Sequence, residues 1–393
     1  MLEYSVSRCA CADGGRVGAP VREIGPPRIA WTGAGGVGLT GKTVFVLGAG
    51  FTRAFLPGAP LRTDDYGGAD LVRRLQGYPH ARRILLQELQ RRRDGALNIE
   101  RLLTRLDGGM PYDPDRDATT EVGLLAAELM HALVRRVEGA KGGTLYREEL
   151  LSFAQGCLQD GISCVTFNYD DILDRALYDA GRDARLPAES RWHPDTGYGF
   201  VCPSSATSVH AGTLRTTPAP LLILKLHGSL NWRLRLGAPP SGAMDALVHH
   251  EDWSVDSSPG GAAAPELIER HLAPGRFIVP PLLGKTAVAE RPVLGRLWAL
   301  AYQMLGHAER VIFLGYSMPA ADVAAVYLFR EACGDLRPAQ VQVVNLAPSE
   351  AHQREIRAAY RQAFPDLPDV QFVFQDARDW VRAWRGQAAR DRP

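Results

Sequence analysis

Short, fully apolar runs alternate with amphipathic stretches along most of this chain, and the runs have strand length. Strands are predicted at Lys42–Leu47 and near residues 163–166, 221–226, 277–279, 310–314, 341–345 and 370–374. Apolar residues at helical spacing predict helices near Ile172–Ala180, Leu294–Gly306, Ala321–Ala332, Glu350–Gln362 and Ala377–Arg385. Strands apolar on both faces, alternating with helices, indicate an α/β fold: a Rossmann-type parallel sheet with helices on both faces. One stretch breaks the alternation. From about Ala69 to Gly161 the leucine spacing is almost wholly helical, as in Leu125, Leu129, Leu133 and Val137, which reads as a helical insertion at about residues 61–161. Residues 1–41 are rich in Gly and Pro without periodicity and read as a disordered extension, leaving 42–393 as the ordered domain. Gly237 to Gly275 reads as a long surface excursion near the site.

Charge changes this picture little. Lys+Arg 45 against Asp+Glu 44 leaves a net charge of +1, which gives no general attraction to nucleic acid or membrane. The arginine clusters Arg73-Arg74, Arg82-Arg83 and Arg91-Arg92-Arg93 sit between leucines at helical spacing, a solvated face that can also offer a local basic patch. The 6 cysteines form no C-x-x-C pair and no zinc-finger spacing; Cys157, Cys164 and Cys333 lie in apolar stretches and read as core residues. No apolar run reaches the ~18 residues of a membrane span and no signal pattern opens the chain, so a soluble cytoplasmic protein is expected.

The chemistry gathers where apolar strands run out into polar turns. In an open parallel sheet, ligands bind beyond the carboxyl ends of the strands. Asn168 closes one strand, His227 another, and Gly48-Ala49-Gly50 follows a third, where bare backbone admits a phosphate. Singly, each has a structural explanation: Asn168 as a helix cap, His227 as a turn histidine. Gly36 to Thr43 satisfies G-x-x-x-x-G-K-[ST], but a phosphate loop needs a helix after it, and a strand follows instead. Gly33 to Gly38 matches G-x-G-x-x-G and fails for the same reason. After Gly48-Ala49-Gly50, Arg53 takes the place of the third glycine, so hydride transfer is not indicated.

Gly48-Ala49-Gly50-Phe51-Thr52, Thr166-Phe167-Asn168-Tyr169-Asp170, Lys225-Leu226-His227-Gly228-Ser229, Gly315-Tyr316-Ser317 and Val344-Asn345 follow in order, each at a predicted strand end. The series resembles the sirtuin fold family, and its bacterial SIR2-like branch most closely, through T-x-N-Y-D-D-x-L, K-L-H-G-S-x-N-W and F-x-G-Y-S-x-x-x-x-D. The resemblance implies NAD as the cofactor, consumed as substrate, with no metal. It implies that Gly48, Ala49, Gly50 and Thr52 line the pyrophosphate, with Phe51 also among the cofactor-binding residues, that Gly315, Ser317 and Asn345 contact the adenosine half, and that Asp170 supports the Asn168 loop. Asn168 then holds the nicotinamide ribose and positions a water, with His227 as general base or ribose-hydroxyl partner. Sirtuin deacylases carry a structural zinc on four cysteines after the catalytic histidine; here Cys333 is the only cysteine after His227. Within the branch, that loss goes with NAD hydrolysis in anti-phage defence, and the alternatives are a deacylase and a non-catalytic NAD or ADP-ribose sensor. The resemblance further implies self-assembly into a homo-oligomer or a separate trigger subunit, such as a HerA-type ATPase or an Argonaute.

Overall fold

Short runs rich in valine, isoleucine, leucine and phenylalanine pair as one parallel sheet of six strands, largely buried except along the edge strand at residues 371–373. The computed structural model describes residues 43–61, 68–91, 97, 99–108, 119–141, 143–182, 186–187, 190–202, 219–234, 247–249, 276–279, 292–319, 322–334, 340–365 and 370–390. The expectation of a disordered extension over residues 1–41 lies outside them. In chain order the sheet strands are β1 (Thr43–Leu47), β2 (Ser163–Thr166), β3 (Ile223–Lys225), β7 (Arg310–Leu314), β8 (Val341–Val344) and β9 (Gln371–Val373). They lie side by side as β3-β2-β1-β7-β8-β9. Counting only these six, the order is the 3-2-1-4-5-6 of the doubly wound dinucleotide-binding sheets, and it reverses between β1 and β7.

The register is level at the carboxyl edge. Leu47 pairs with both Thr166 and Leu314, Thr166 with Lys225, Leu314 with Val344, and Val344 with Val373. Whatever follows each strand therefore emerges in one row. This is what gathers segments scattered over some 300 residues of chain into a single crevice.

Between β1 and β2 run α1 (Ala49–Phe55), α2 (Gly68–Arg74), α3 (Pro79–Gln90), α4 (Ile99–Gly108), α5 (Thr119–Lys141) and α6 (Arg147–Asp160). Helices α2 to α5 enclose a core of their own, with Leu71, Leu85, Leu102, Leu125, Leu129 and Leu133 buried together. Helix α6 belongs instead to the sheet: Phe153 stacks on Phe45 at 5.3 Å between ring centroids, so α6 is the crossover helix returning the chain to β2. The crossovers of the second half are α9 (Pro292–Gly306), α10 (Val323–Ala332) and α11 (Glu350–Ala363), with α12 (Ala377–Arg390) closing the described chain. Between β2 and β3 lie α7 (Ile172–Gly181) and a single turn, α8 (Pro194–Gly197). Full burial of side chains such as Phe45, Phe153 and Phe313 contributes about 1.5–3 kcal/mol each.

One expected strand sits elsewhere. Residues 277–279 were to join the alternating series, but β6 (Arg276–Ile278) pairs antiparallel with β4 (Gly228–Leu234), which also pairs with β5 (Leu247–His249) in a separate three-stranded sheet. At Gly228, with φ +75°, the chain leaves the parallel sheet after β3 and enters β4, where Gly228 pairs with Ile278. The expected surface excursion at 237–275 falls outside the described residues except for β5. Strand β1 begins at Thr43, so a strand and not a helix follows the G-x-x-x-x-G-K-[ST] match.

Candidate functional site

The row begins at the sheet's reversal point, where two loops cross in contact. Gly48 N donates to Leu314 O at 3.1 Å and Gly50 N donates to Gly315 O at 2.9 Å. A Cβ on Gly48 would lie 2.5 Å from Tyr316 Cα, and one on Gly315 would lie 2.0 Å from Phe51 N. Gly315 also has φ +63°, a left-handed conformation that L side chains rarely adopt. These glycines are thus required by backbone crossing backbone. Ala49, by contrast, stands exposed at the start of α1. Phe51 turns inward: its ring is 1% exposed, packed on Phe55 and Phe153, and its N–H donates to Gly48 O.

Beside this crossing, Asn168 is locked by its amide group. Nδ2 donates to Gly48 O at 2.9 Å and to Thr52 Oγ1 at 3.0 Å. A carbonyl can only accept, so the contact with Gly48 O fixes which way the amide faces. Oδ1 is left without a partner among the described residues. Thr52, having accepted from Asn168, donates to Asp170 Oδ2 at 2.6 Å, a short charge-assisted bond in a buried setting. Asp170 Oδ1 in turn accepts from Ile172 N at the start of α7. Asn168 is therefore not the cap of that helix, whose N-cap position is Asp171, and Asn168 N donates to Thr166 Oγ1.

His227 stands one strand away. Thr166 pairs with Lys225, so Asn168 and His227 occupy matching positions, each two residues beyond the paired residues. The imidazole is 5% exposed and walled by aromatic rings, with Phe167 at 5.0 Å, Tyr169 at 6.2 Å and Trp298 at 6.5 Å between centroids. Its Nε2 lies 3.9 Å from Asp322 Oδ2, too far for a hydrogen bond but close for a charge. Asp322 also accepts from Tyr316 OH at 3.2 Å. The wall is pinned in turn: Tyr169 OH donates to Val279 O and Trp298 Nε1 donates to Leu226 O.

On the far side of the crossing, Ser317 is exposed while Asn345 is 6% exposed. Asn345 Nδ2 donates to Tyr316 O at 2.7 Å, and Tyr360 OH donates to the same oxygen at 2.7 Å. Asn345 thus holds the Gly315-Tyr316-Ser317 loop in place with its amide. Next in that loop, Met318 takes φ 52°, an uncommon conformation for a residue with a side chain.

Several contributors carried no single-residue signal in the sequence. Lys225 is fully buried, its Nζ donating to Asp170 O at 2.5 Å and to Asp174 Oδ2 at 2.9 Å. Tyr198 OH also donates to Asp174 Oδ2, and Asn231 Nδ2 donates to Tyr198 OH. Burial pushes the Asp174 carboxyl above the usual carboxylate range, and the Lys225 ammonium opposes that rise. Lys225, Asn231 and Asp322 do fall at fixed places in the strand-end motifs, which was the one signal available for them. Among the described residues, no group of three or more His, Cys, Asp or Glu could hold a metal ion, and no helix is long and apolar enough to cross a membrane.

No family model matches the sequence, and no curated protein matches it. Solved structures do align. A Sir2 homologue in complex with NAD is 13% identical, with a TM-score of 0.38 over 88% of this chain and 89% of that one. A structure described as the basis for the mechanism and regulation of Sir2 enzymes is 14% identical, with a TM-score of 0.37 over 90% of this chain and 94% of that one. A mutant Sir2 homologue bound to 2′-O-acetyl ADP-ribose is 11% identical, with a TM-score of 0.40 over 90% of this chain and 94% of that one. Likeness at this level fixes no activity. The chain is described by its own architecture, an α/β protein whose six parallel strands follow the dinucleotide-binding order.

Proposed function

We propose that this protein binds NAD across the β1/β7 reversal point and hydrolyses its N-glycosidic bond to nicotinamide and ADP-ribose. The observation that carries the reading is Asn168. Both hydrogens of its amide are engaged, so the carbonyl Oδ1 is the atom offered to a ligand, one strand from a buried imidazole with a carboxylate beside it. The dinucleotide strand order and the ordered strand-end motifs support NAD as the ligand.

The reaction breaks the bond between the ribose anomeric carbon and the pyridinium nitrogen, and the electron pair leaves with neutral nicotinamide. Water supplies a hydroxyl to the cationic ribose and its proton goes to a base, ending in solvent. In this chain Oδ1 of Asn168 is the acceptor that orients a ribose hydroxyl or the water. His227 takes the proton, with Asp322 favouring the imidazolium that forms. The exposed Ala49 and Ser317 flank the pyrophosphate and adenosine ends, with Gly48, Gly50, Thr52, Asp170, Gly315 and Asn345 shaping the loops behind them. The presence of only Cys333 after His227 favours water over acyl-lysine as acceptor, because four cysteines of a zinc module cannot be assembled there. Anti-phage NAD depletion, gated by self-assembly or a trigger subunit, belongs to the same proposal.

The test is product analysis after incubating purified protein with NAD at low and high protein concentration. Equimolar nicotinamide and ADP-ribose are expected, lost in Asn168→Ala and His227→Ala variants that melt as the wild type does. Undiminished release by Asn168→Ala would refute the assignment. Deacylation of an acyl-peptide faster than NAD hydrolysis would move the protein to the deacylases, and saturable NAD binding without product in either state would make it a sensor.

A further inference from the structure

A chain of buried contacts ties the Asn168 turn to β3, and it runs through a lysine that touches no candidate ligand group. We infer that Lys225 is a positioning residue for the candidate site: its ammonium clamps the Asp170 carbonyl and so fixes the turn that aims Asn168. Three observations carry this. Nζ of Lys225 is held between the Asp170 main-chain oxygen at 2.5 Å and Asp174 Oδ2 at 2.9 Å. Asp170 is the anchor of the relay, since its carboxylate accepts from Thr52 and Thr52 accepts from Asn168. Finally, Lys225 is 0% exposed, and burying an ammonium is strongly unfavourable unless its donors are used.

A simpler role also exists for this lysine. Asp174 is 1% exposed and starts the polar cluster with Tyr198 and Asn231, so Lys225 could serve only to neutralise it. The geometry argues for more. A lysine placed only for charge pairing has no need to reach the Asp170 carbonyl, an oxygen on the turn between β2 and α7. That turn is otherwise tied to β4 through Leu230 N, which donates to Tyr169 O at 2.8 Å. Lys225 supplies the link from β3, the strand that ends in His227. It therefore couples the positions of the two candidate catalytic side chains.

The two roles separate in a double variant. Lys225→Met alone leaves Asp174 buried without its partner, and that protein can fail to fold. Lys225→Met with Asp174→Asn removes both charges, keeps an acceptor for Tyr198, and still lacks the clamp. Asp174→Asn alone keeps the clamp. Hydrogen exchange of the 167–171 segment is measured with thermal melting, and NAD turnover is measured beside them. Expected is a double variant that melts at or above Asp174→Asn, which keeps a buried ammonium without its counter-charge, with exchange in 167–171 faster by about tenfold or more. In turnover, kcat falls by up to about a hundredfold with little change in KM, because misplacement acts on the reacting geometry.

Wild-type protection of 167–171 in the folded double variant overturns the inference and leaves Lys225 a neutralising partner. The turnover arm rests on the NAD reading, whereas the exchange arm does not. A wild type that never hydrolyses NAD sinks that reading while exchange still decides the role of Lys225.

Discussion

Removing one hydroxyl, in Thr52→Val, tests the relay at its centre. Threonine and valine share a shape, so packing is retained while two hydrogen bonds are lost. One is the 2.6 Å bond from Thr52 Oγ1 to Asp170 Oδ2, a buried bond to a charged group. The other is the 3.0 Å bond that Thr52 accepts from Asn168. A bond to a charged group contributes about 1.5–3 kcal/mol and a neutral one about 1 kcal/mol, so the expected loss is roughly 3 kcal/mol. Asp170 is only 9% exposed, so water compensates its oxygen poorly. For a domain of this size the loss lowers the melting temperature by about 4 °C. Thr52→Ser keeps the hydroxyl and loses a methyl, about 1 kcal/mol. Urea and thermal denaturation of both variants supply the numbers. Combining Thr52→Val with Asn168→Ala is expected to cost less than the sum of the two, by about 0.5–1 kcal/mol, since both remove the same contact. Turnover of NAD by Thr52→Val is expected to fall even where the variant is fully folded, because one of the two restraints on Asn168 is gone. A Thr52→Val protein within about 0.5 kcal/mol of the wild type would refute the relay, as would a Thr52→Ser variant equally damaged.

Other consequences are as direct. Gly315→Ala forces a side chain into a left-handed backbone and onto Phe51 N, where a Cβ would sit at 2.0 Å, so soluble yield and melting temperature should fall sharply; a well-folded variant would mean that the loops do not cross as described. Asn345→Leu and Tyr360→Phe each remove a donor from Tyr316 O and should cost about 1 kcal/mol apiece in denaturation, with coupling between them; full additivity would show that the shared oxygen is not the link. Burial holds the Asp174 carboxyl above its usual value in the folded state, with Lys225 opposing the rise, so folding favours its protonated form relative to the unfolded chain. Its contribution to stability is fully present below the unfolded value of 3.8 and is lost as pH rises through the raised folded value. Melting curves of the wild type against Asp174→Asn should show the wild type losing ground as pH rises from about 4; a difference independent of pH would contradict it.

Much of this was legible in the chain itself. Apolar runs such as Val44–Leu47 and Val311–Leu314 announce buried parallel strands because burial on both faces leaves no room for polar alternation. The polar residues ending those runs singled out Asn168, His227 and Gly48-Ala49-Gly50, since a strand's last residues meet the crevice in any sheet of this class, but the glycines were read as room for a phosphate and not as one loop crossing another. Periodicity is a local property, however, and it stops at the element. The strand order and the level register arose only from which strands pair, and these decided that the five segments form one row. The same limit explains the misplaced strand at 276–278: its composition suits either sheet, and its pairing with β4 is a tertiary contact that periodicity does not encode. Tertiary structure alone also assigned the inner partners. Thr52 meets Asp170 across 118 residues of chain, Lys225 reaches Asp174 from another strand, and Asp322 comes to His227 from the loop before α10. No spacing rule encodes such contacts. They follow from burial, which makes each polar group find a partner wherever the packed chain brings one within reach.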